Sequence, residues 1–325
     1  MKEGSLASVK ADLLFAGRAR VTGRELKTPA HISHAGPGTG SAKTLFFTDG
    51  ISRVRLTADS EGEIEIENDN GSARLMFRDT VVRGRLEEAP CHCPKQAYIT
   101  LSEGCIFACR YCKVPSLEPH IKSADEVCAL VREAAGAGAE CISLTSGVLG
   151  SPEEDAERLY ALLPRLKMFG LPIGVSVYPV PGMPEKLYAL GVSEVKFNLE
   201  AATAGLFHEM CPGLGREEIL AALRRSVELF GRGRVYTNII LGLGETDEEM
   251  KTCLRACAGE GIIPILRPLT PSAELAGFPH PSAERMRAMA EFLRDELVKN
   301  GLHPDAALTM CAKCTACDVA PKRDV

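Results

Sequence analysis

The sequence predicts an α/β protein: a parallel sheet of about six strand–helix units, preceded by a small antiparallel β module and followed by a cysteine-bearing tail. Three observations lead there. Between residues 96 and 300 short apolar runs alternate with amphipathic stretches of helical period, as expected for strands buried on both faces and separated by helices. Before residue 91 the alternation has period two and is broken by Asp-Gly and Asn-Gly turns. Beyond residue 300 three cysteines recur at a fixed spacing, Cys311, Cys314 and Cys317. The expected segments are 1–90, a β-rich accessory module, 91–300, the main domain, and 301–325, the tail.

In the first segment Thr44-Leu45-Phe46-Phe47 precedes Thr48-Asp49-Gly50, and Ile51 to Leu56 alternates apolar with polar, which is a hairpin pattern. Glu63 to Glu67 alternates likewise, and Asn70-Gly71 separates it from Ala73 to Phe77. The run Gly36-Pro37-Gly38-Thr39-Gly40-Ser41-Ala42-Lys43-Thr44 looks like a phosphate-binding loop. Counted back from Lys43-Thr44, however, the required glycine positions hold Pro37 and Ala42, and no helical pattern follows, so it reads as a turn. His31 and His34 beside it read as exposed loop histidines.

The main domain supplies candidate strands at 96–102, 141–146, 173–178, 194–200, 234–241 and 262–267. Helical stretches intervene at Ala124–Ala137, Glu153–Met168, Glu217–Phe230 and Asp247–Ala258, with another at Ser282–Lys299. At roughly 30 residues per strand–helix unit, this length accommodates six repeats rather than eight. Hydrophobic residues at 45% and charged residues at 25% of 325 are those of an ordinary globular protein. A net charge of −5 argues against a dedicated nucleic-acid surface. No apolar run approaches the roughly 20 residues of a membrane span, and the N-terminus lacks a signal-peptide core. A cytoplasmic protein with no membrane or nucleic-acid partner is expected.

Thirteen cysteines in such a chain point to metal rather than disulfides. Cys105, Cys109 and Cys112 follow the first strand of the main domain, in Gly-Cys-Ile-Phe-Ala-Cys-Arg-Tyr-Cys. Three thiolates in one short loop can hold three irons of a [4Fe–4S] cluster and leave the fourth open to a ligand. A zinc site is the plainer alternative, but no fourth Cys or His follows closely. Cys311, Cys314 and Cys317, with two residues between successive thiols, can hold three irons of a second cluster, for which Cys91 or Cys93 can supply a fourth thiolate. Cys128, Cys141, Cys211, Cys253 and Cys257 read as core filling.

The placement and spacing of the Cys105 loop resemble the radical S-adenosylmethionine (SAM) superfamily. The resemblance implies a partial (βα)6 TIM-like barrel and a [4Fe–4S] cluster whose open iron chelates SAM. Its active site is expected at the C-terminal ends of the strands. At those ends the sequence offers Thr145 and Ser146, where the superfamily commonly has Gly-Gly-Glu and lipoyl synthases carry a similar Thr-Ser; a helix cap is the alternative role. Asn198-Leu199-Glu200 is similar to runs of lipoyl and biotin synthases that contact SAM, and its two polar residues alternate onto one strand face. In Asn238 to Thr246, which looks like Gly-x-Ile-x-Gly-x-x-Glu with Asn238 replacing the first glycine, Ile240 would flank the adenine and Glu245 support the loop. Arg267, in a Leu-Arg-Pro also similar to lipoyl synthases, would hold a carboxylate or form a structural salt bridge.

The biotin and lipoyl synthase group implies more. An external low-potential electron donor reduces the first cluster, SAM yields a 5′-deoxyadenosyl radical, and an auxiliary [4Fe–4S] cluster supplies sulfur to an unactivated carbon. On that resemblance Cys311, Cys314 and Cys317 are catalytic as well as metal ligands. Lipoyl synthase holds its auxiliary cluster through a different N-terminal motif and a C-terminal serine. The chain is therefore more similar to the two-component lipoyl synthases of archaea, which act with a paralogous radical SAM partner on an octanoylated carrier domain. The alternatives are another radical SAM modification of a peptide or small molecule, and a non-catalytic iron–sulfur electron carrier.

Overall fold

A computed structural model describes residues 1–27, 29–33, 43–69, 71–271 and 273–325. The P-loop-like run through residue 42, with His34, and Asn70 of the second hairpin signal lie outside the described residues. The first segment runs β1 (Lys2–Glu3), α1 (Leu6–Ala16), β2 (Arg18–Gly23), β3 (Thr44–Thr48), β4 (Arg53–Ala58), β5 (Ile64–Asp69), β6 (Ser72–Phe77) and β7 (Thr80–Glu87). The main domain follows with β8 (Gln96–Thr100), β9 (Ser102–Glu103), β10 (His120–Ile121), α2 (Ala124–Gly136), β11 (Cys141–Thr145), α3 (Pro152–Lys167), β12 (Ile173–Ser176), α4 (Met183–Ala189) and β13 (Glu194–Lys196). Next come α5 (Ala204–Met210), α6 (Arg216–Phe230), β14 (Val235–Leu241), α7 (Asp247–Glu260), β15 (Ile263–Pro268) and α8 (Ala283–Lys299); α9 (Met310–Cys314) lies in the tail.

The N-terminal sheet is mixed rather than antiparallel. Its order is β1-β7-β3-β4-β2-β5-β6, with β6 pairing back to β7, so β2 to β7 form a closed ring. The expected hairpins are present: β3 pairs antiparallel with β4 across Asp49-Gly50, and β5 pairs antiparallel with β6. Asp49 Oδ1 closes the first turn by accepting from the N–H groups of Ile51 and Ser52. β2 enters between the hairpins and runs parallel to both β4 and β5. The chain passes from β4 to β5 across the start of β2 at Gly62, where a Cβ would stand 2.8 Å from the backbone of Arg18 and Ala19. That crossing makes the sheet mixed. Leu6 and Leu13 of α1 pack against Phe47, Leu56, Ile64, Ile66 and Leu75 in the module's core.

Six parallel strands in the order β15-β14-β13-β12-β11-β8 form the barrel-like sheet of the main domain. The helices between them start where the sequence provides caps. Ser123 with Glu126 and Thr246 with Glu249 form capping boxes for α2 and α7, and Ser151 followed by Pro152 opens α3. Their apolar stripes pack on the strands in one continuous core that includes Val127, Leu163, Leu223, Leu254 and Leu293. Among the described residues no helix is long and apolar enough to cross a membrane. His31, expected to be exposed, is buried, and its Nε2 accepts from the Thr100 N–H.

The tail closes the N-terminal end of the barrel. Glu194, wholly buried at the start of β13, accepts from the N–H groups of Leu308 (3.0 Å) and Thr309 (2.9 Å) and from the Thr309 hydroxyl (2.7 Å). Arg234 Nη1 (2.9 Å) and the Tyr236 hydroxyl (3.2 Å) satisfy the same carboxylate. Met310 donates its N–H to Ser143 Oγ and accepts from Gln96 Nε2. Gly174 makes room for this insertion, since a Cβ there would lie 2.1 Å from Thr309 Oγ1. The same tail reaches the first module, where Lys10 Nζ contacts Asp324 and the Thr315 carbonyl and Ser52 Oγ donates to Asp324. Glu194→Ala is expected to cost about 3–5 kcal/mol, because it strands Arg234 and buried donors of the tail. Urea unfolding and limited proteolysis check this, and an unchanged midpoint with a protease-resistant tail would refute it.

Candidate active site and a second thiol set

The loop bearing Cys105, Cys109 and Cys112 leaves the C-terminal end of β8. Its base is the short β9–β10 pairing, and it is pinned to the end of β11 by Gly147 N–H to Ser102 O (2.9 Å) and Ile106 N–H to Val148 O (2.7 Å). The two segments approach so closely that a Cβ on Gly147 would meet Gly104 O at 2.1 Å. On the other side, Arg110 N–H donates to Met210 O. The three thiols line a cavity of about 130 Å³ with Thr145, Ser146, Ser176, Asn198 and Glu200.

The Val148 N–H points at Cys105 Sγ (3.4 Å), a contact suited to a thiolate. Burial nevertheless raises the Cys105 thiol above its ordinary value. The Cys109 thiol is raised mainly by its hydrogen bond to Cys211 and then by burial. Cys211, read as core filling, thus sits beside the loop and also contacts the Tyr111 hydroxyl at 3.6 Å.

Asn198 and Glu200 both line the cavity, although the regular strand ends at Lys196. Glu200 adopts a left-handed backbone with φ +57°, held by its N–H to Asn238 O and by Ile240 N–H to its own carbonyl. Such a conformation is unfavourable for a non-glycine residue and is retained where its surroundings impose it. Burial lifts the Glu200 carboxyl to about 7, against the pull of Lys196, Tyr111, Asn198 and Arg267. Its Oε2 is buried with no hydrogen-bond partner, and so is Oδ1 of neighbouring Asn238. Two buried acceptors lacking donors are costly in themselves and fit a ligand that brings N–H or O–H groups. Three thiols and an acceptor-rich wall therefore suit a cluster with an amino- and hydroxyl-bearing cofactor such as SAM.

Thr145 lines the cavity, while Ser146 donates to Gly147 O (2.7 Å) and accepts from the Ser102 N–H (3.2 Å). Neither caps α3; Ser151 does. Ile240 is packed in the core and is not among the residues lining the cavity. Glu245 braces its loop as expected, accepting from the N–H groups of Gly242 and Leu243 and from Arg285.

Arg267 stands elsewhere than expected. Its guanidinium hydrogen-bonds Cys317 and lies beside Cys311 and Asp318, so inward-facing β15 presents it to the tail rather than to the Cys105 cavity. Around it the structure gathers Cys311, Cys314, Cys317 and Cys93. The Cys93 thiol donates to Cys314, which is lowered by that bond and by Arg53 and Arg267, while Cys93 is raised. Cys91 is not part of this set: it is buried in the main core, where burial and Glu133 push its thiol up to about 12. Lys196, Tyr98, Arg53 and Arg55 also face these thiols. They carry no motif, though Tyr98 and Lys196 follow from the inward phase of their strands. Among the described residues no three His, Cys, Asp or Glu donors close on a point the size of a single ion. Cluster ligands stand farther apart than that, since each binds its own iron.

The profile of the Radical SAM superfamily matches residues 99–257. No curated protein matches the chain in sequence. Among solved structures, methylornithine synthase is 19% identical with a TM-score of 0.52, the alignment covering 66% of this chain and 74% of that one. A radical SAM methyltransferase from Sphaerobacter thermophilus is 21% identical with a TM-score of 0.52 and coverages of 85% and 75%. The FeFe-hydrogenase maturase HydG from Carboxydothermus hydrogenoformans is 17% identical with a TM-score of 0.53, and the alignment spans 63% of this chain but only 52% of that one. At such identities these likenesses concern the fold. The profile match gives residues 99–257, just under half of the chain, as a Radical SAM superfamily domain, a family whose enzymes work with a [4Fe–4S] cluster and SAM.

Proposed function

We propose that the protein is a radical SAM enzyme that inserts sulfur at unactivated C–H bonds, with an octanoylated carrier domain as substrate. The observation that carries this reading is the linkage of two thiol sets inside one barrel. The Cys105 cavity is walled by Glu200, and Lys196, which interacts with Glu200, also reaches Cys311 Sγ at 3.5 Å. Lys196 and Asn198 are about 7 Å apart along an extended chain. A carbon activated in the upper cavity is therefore close to a sulfur-rich site. When bound, SAM and its cluster supply a 5′-deoxyadenosyl radical, and an auxiliary cluster would supply sulfide.

The chain's own residues bind, orient and shield. Cys105, Cys109 and Cys112 hold the first cluster. Asn198, Glu200 and Thr145 receive the donor groups of SAM, and Ser146 fixes the turn beneath them. Phe107 packs against Tyr178, with ring centroids 5.2 Å apart, at the edge of the cavity. An external low-potential donor provides electrons, and a paralogous radical SAM protein is the proposed partner.

Reduced, reconstituted protein with SAM and octanoylated carrier peptide is expected to form 5′-deoxyadenosine and a peptide of higher mass by added sulfur, both lost when Cys105, Cys109 and Cys112 are replaced by Ala. Deoxyadenosine without added sulfur, even with reductant and partner present, would replace sulfur insertion by another radical SAM modification. No deoxyadenosine from cluster-loaded protein would refute catalysis altogether. Glu200→Gln is expected to weaken SAM binding about 10–100-fold, as for loss of one hydrogen bond to a charged acceptor. Equilibrium binding to the reconstituted protein checks this, and an unchanged affinity would remove Glu200 from the SAM site.

A further inference from the structure

We infer that Cys93, Cys311, Cys314 and Cys317 form a second, fully protein-ligated [4Fe–4S] site in the N-terminal half of the barrel, enclosed by a shell of four cationic side chains. The inference goes beyond the reading above, because it concerns which residues hold the iron and stands whether or not sulfur is the group transferred.

The four thiols come together from both flanks of the barrel. Cys93 and Cys314 share one buried cluster with Phe46, Ala89, Tyr98 and Ala316, and Cys317 packs against it. Cys93 thus lies among Cys314, Cys317 and Cys311. The tail thiols are held in place by the Glu194 anchor immediately before them and by two left-handed residues, Met310 (φ +57°) and Thr315 (φ +56°), which turn the chain at either end of α9. Spacing of two residues between successive cysteines suits a cluster whose irons are held one by one. With Cys93 as the fourth ligand every iron has a protein thiolate, in contrast to the Cys105 loop.

The surroundings match that charge. Lys196 Nζ lies 3.5 Å from Cys311 Sγ and Arg55 Nη1 3.7 Å from Cys317 Sγ. Arg267 lies beside Cys317 and Cys311, and Arg53 Nη1 donates to the Cys314 carbonyl at 2.9 Å. Lys196 and Arg267 are themselves buried. Buried cations need anionic partners, and Asp318 is the carboxylate beside Arg267 while Glu200 interacts with Lys196. The inward phase of β13 and β15 aims Lys196 and Arg267 at sulfur, while Arg53 and Arg55 reach it from the outer face of β4, opposite the core residues Val54 and Leu56. A cluster bound by four thiolates, with bridging sulfides, offers the compensating charge. The Ala316 N–H, directed at Cys314, adds the amide contact that Val148 gives Cys105.

The test uses the full chain, reconstituted anaerobically with iron and sulfide in a Cys105→Ala/Cys109→Ala/Cys112→Ala background, so that the outcome is independent of the SAM site. About four irons per chain are expected, with the visible absorption and Mössbauer signature of a [4Fe–4S] cluster. Adding Cys93→Ala should remove most of the iron, while adding Cys91→Ala should leave it. No iron in the triple background, tightly held zinc in its place, or loss with Cys91→Ala but not Cys93→Ala would overturn the assignment. Circular dichroism checks that the Cys93→Ala chain is folded. If it is not, Lys196→Gln and Arg267→Gln test the site without touching a ligand. Each should shift the cluster's reduction potential to a more negative value, and a potential unmoved by both would overturn the assignment.

Discussion

The buried carboxylate of Glu194 is the interaction on which both ends of the molecule depend. A charge taken wholly out of water is tolerated only where hydrogen bonds and counter-charge replace solvent. Here two tail N–H groups, the Thr309 hydroxyl, Tyr236 and Arg234 do so. Three of these five donors come from a segment more than a hundred residues later in the chain, so satisfying Glu194 requires the tail to enter the barrel. Once Thr309 is seated, Met310 is held by Ser143 and Gln96, and the three thiols that follow have little freedom. Lys10 and Ser52 clamp the far end of the tail through Asp324. The tail is thus the common boundary of the two sheets.

The two ends of the barrel follow different logic. At the C-terminal end, loops converge on a cavity, as the parallel arrangement of strands and helices leads one to expect. The loop geometry rests on backbone contacts too tight for a side chain, above all Gly147 against Gly104. The N-terminal end of such barrels usually contributes stability alone. In this chain it carries thiols as well, because Gln96 of β8, Lys196 of β13 and Arg267 of β15 reach a tail that is distant in sequence. The tail both seals the barrel and equips it.

Much of this was legible in the sequence. The six strands and five long helices follow hydrophobic period; Ser123, Ser151, Thr246 and Ser282, which cap four of those helices, are further signals that the periodicity reading did not use. The thiol loop and Asn198-Leu199-Glu200 were legible because chemistry constrains their spacing. Helix α1 was hidden: Leu6, Val9, Leu13, Leu14 and Phe15 spread apolar residues around several faces, and the capping Ser5 and left-handed Gly17 are the signals that mark it. The mixed N-terminal sheet was also hidden, because the crossing at Gly62 is a tertiary contact. Cys91 and Cys93 lie in a loop with no period to say which faces the tail. Strand alternation puts Arg267 inside the barrel but does not tell whether its partner arrives from above or below.

The polar interior suggests why these exceptions cluster. A sequence that specified stability alone would not place Lys196 and Arg267 inside a sheet, nor leave Glu200 Oε2 and Asn238 Oδ1 without donors. The departures are ordered by height. In the lower half cations face sulfur; in the upper half Glu200 faces the cavity beside the Cys105 loop, with Asn238 buried behind it. Lys196 joins the halves, since it contacts Cys311 and also opposes the burial that raises the Glu200 carboxyl. Arg267 lies in the same interior, beside Cys317 and Cys311, and it too favours the charged form of Glu200. Two buried cations therefore stand between the acceptors of one end and the thiols of the other.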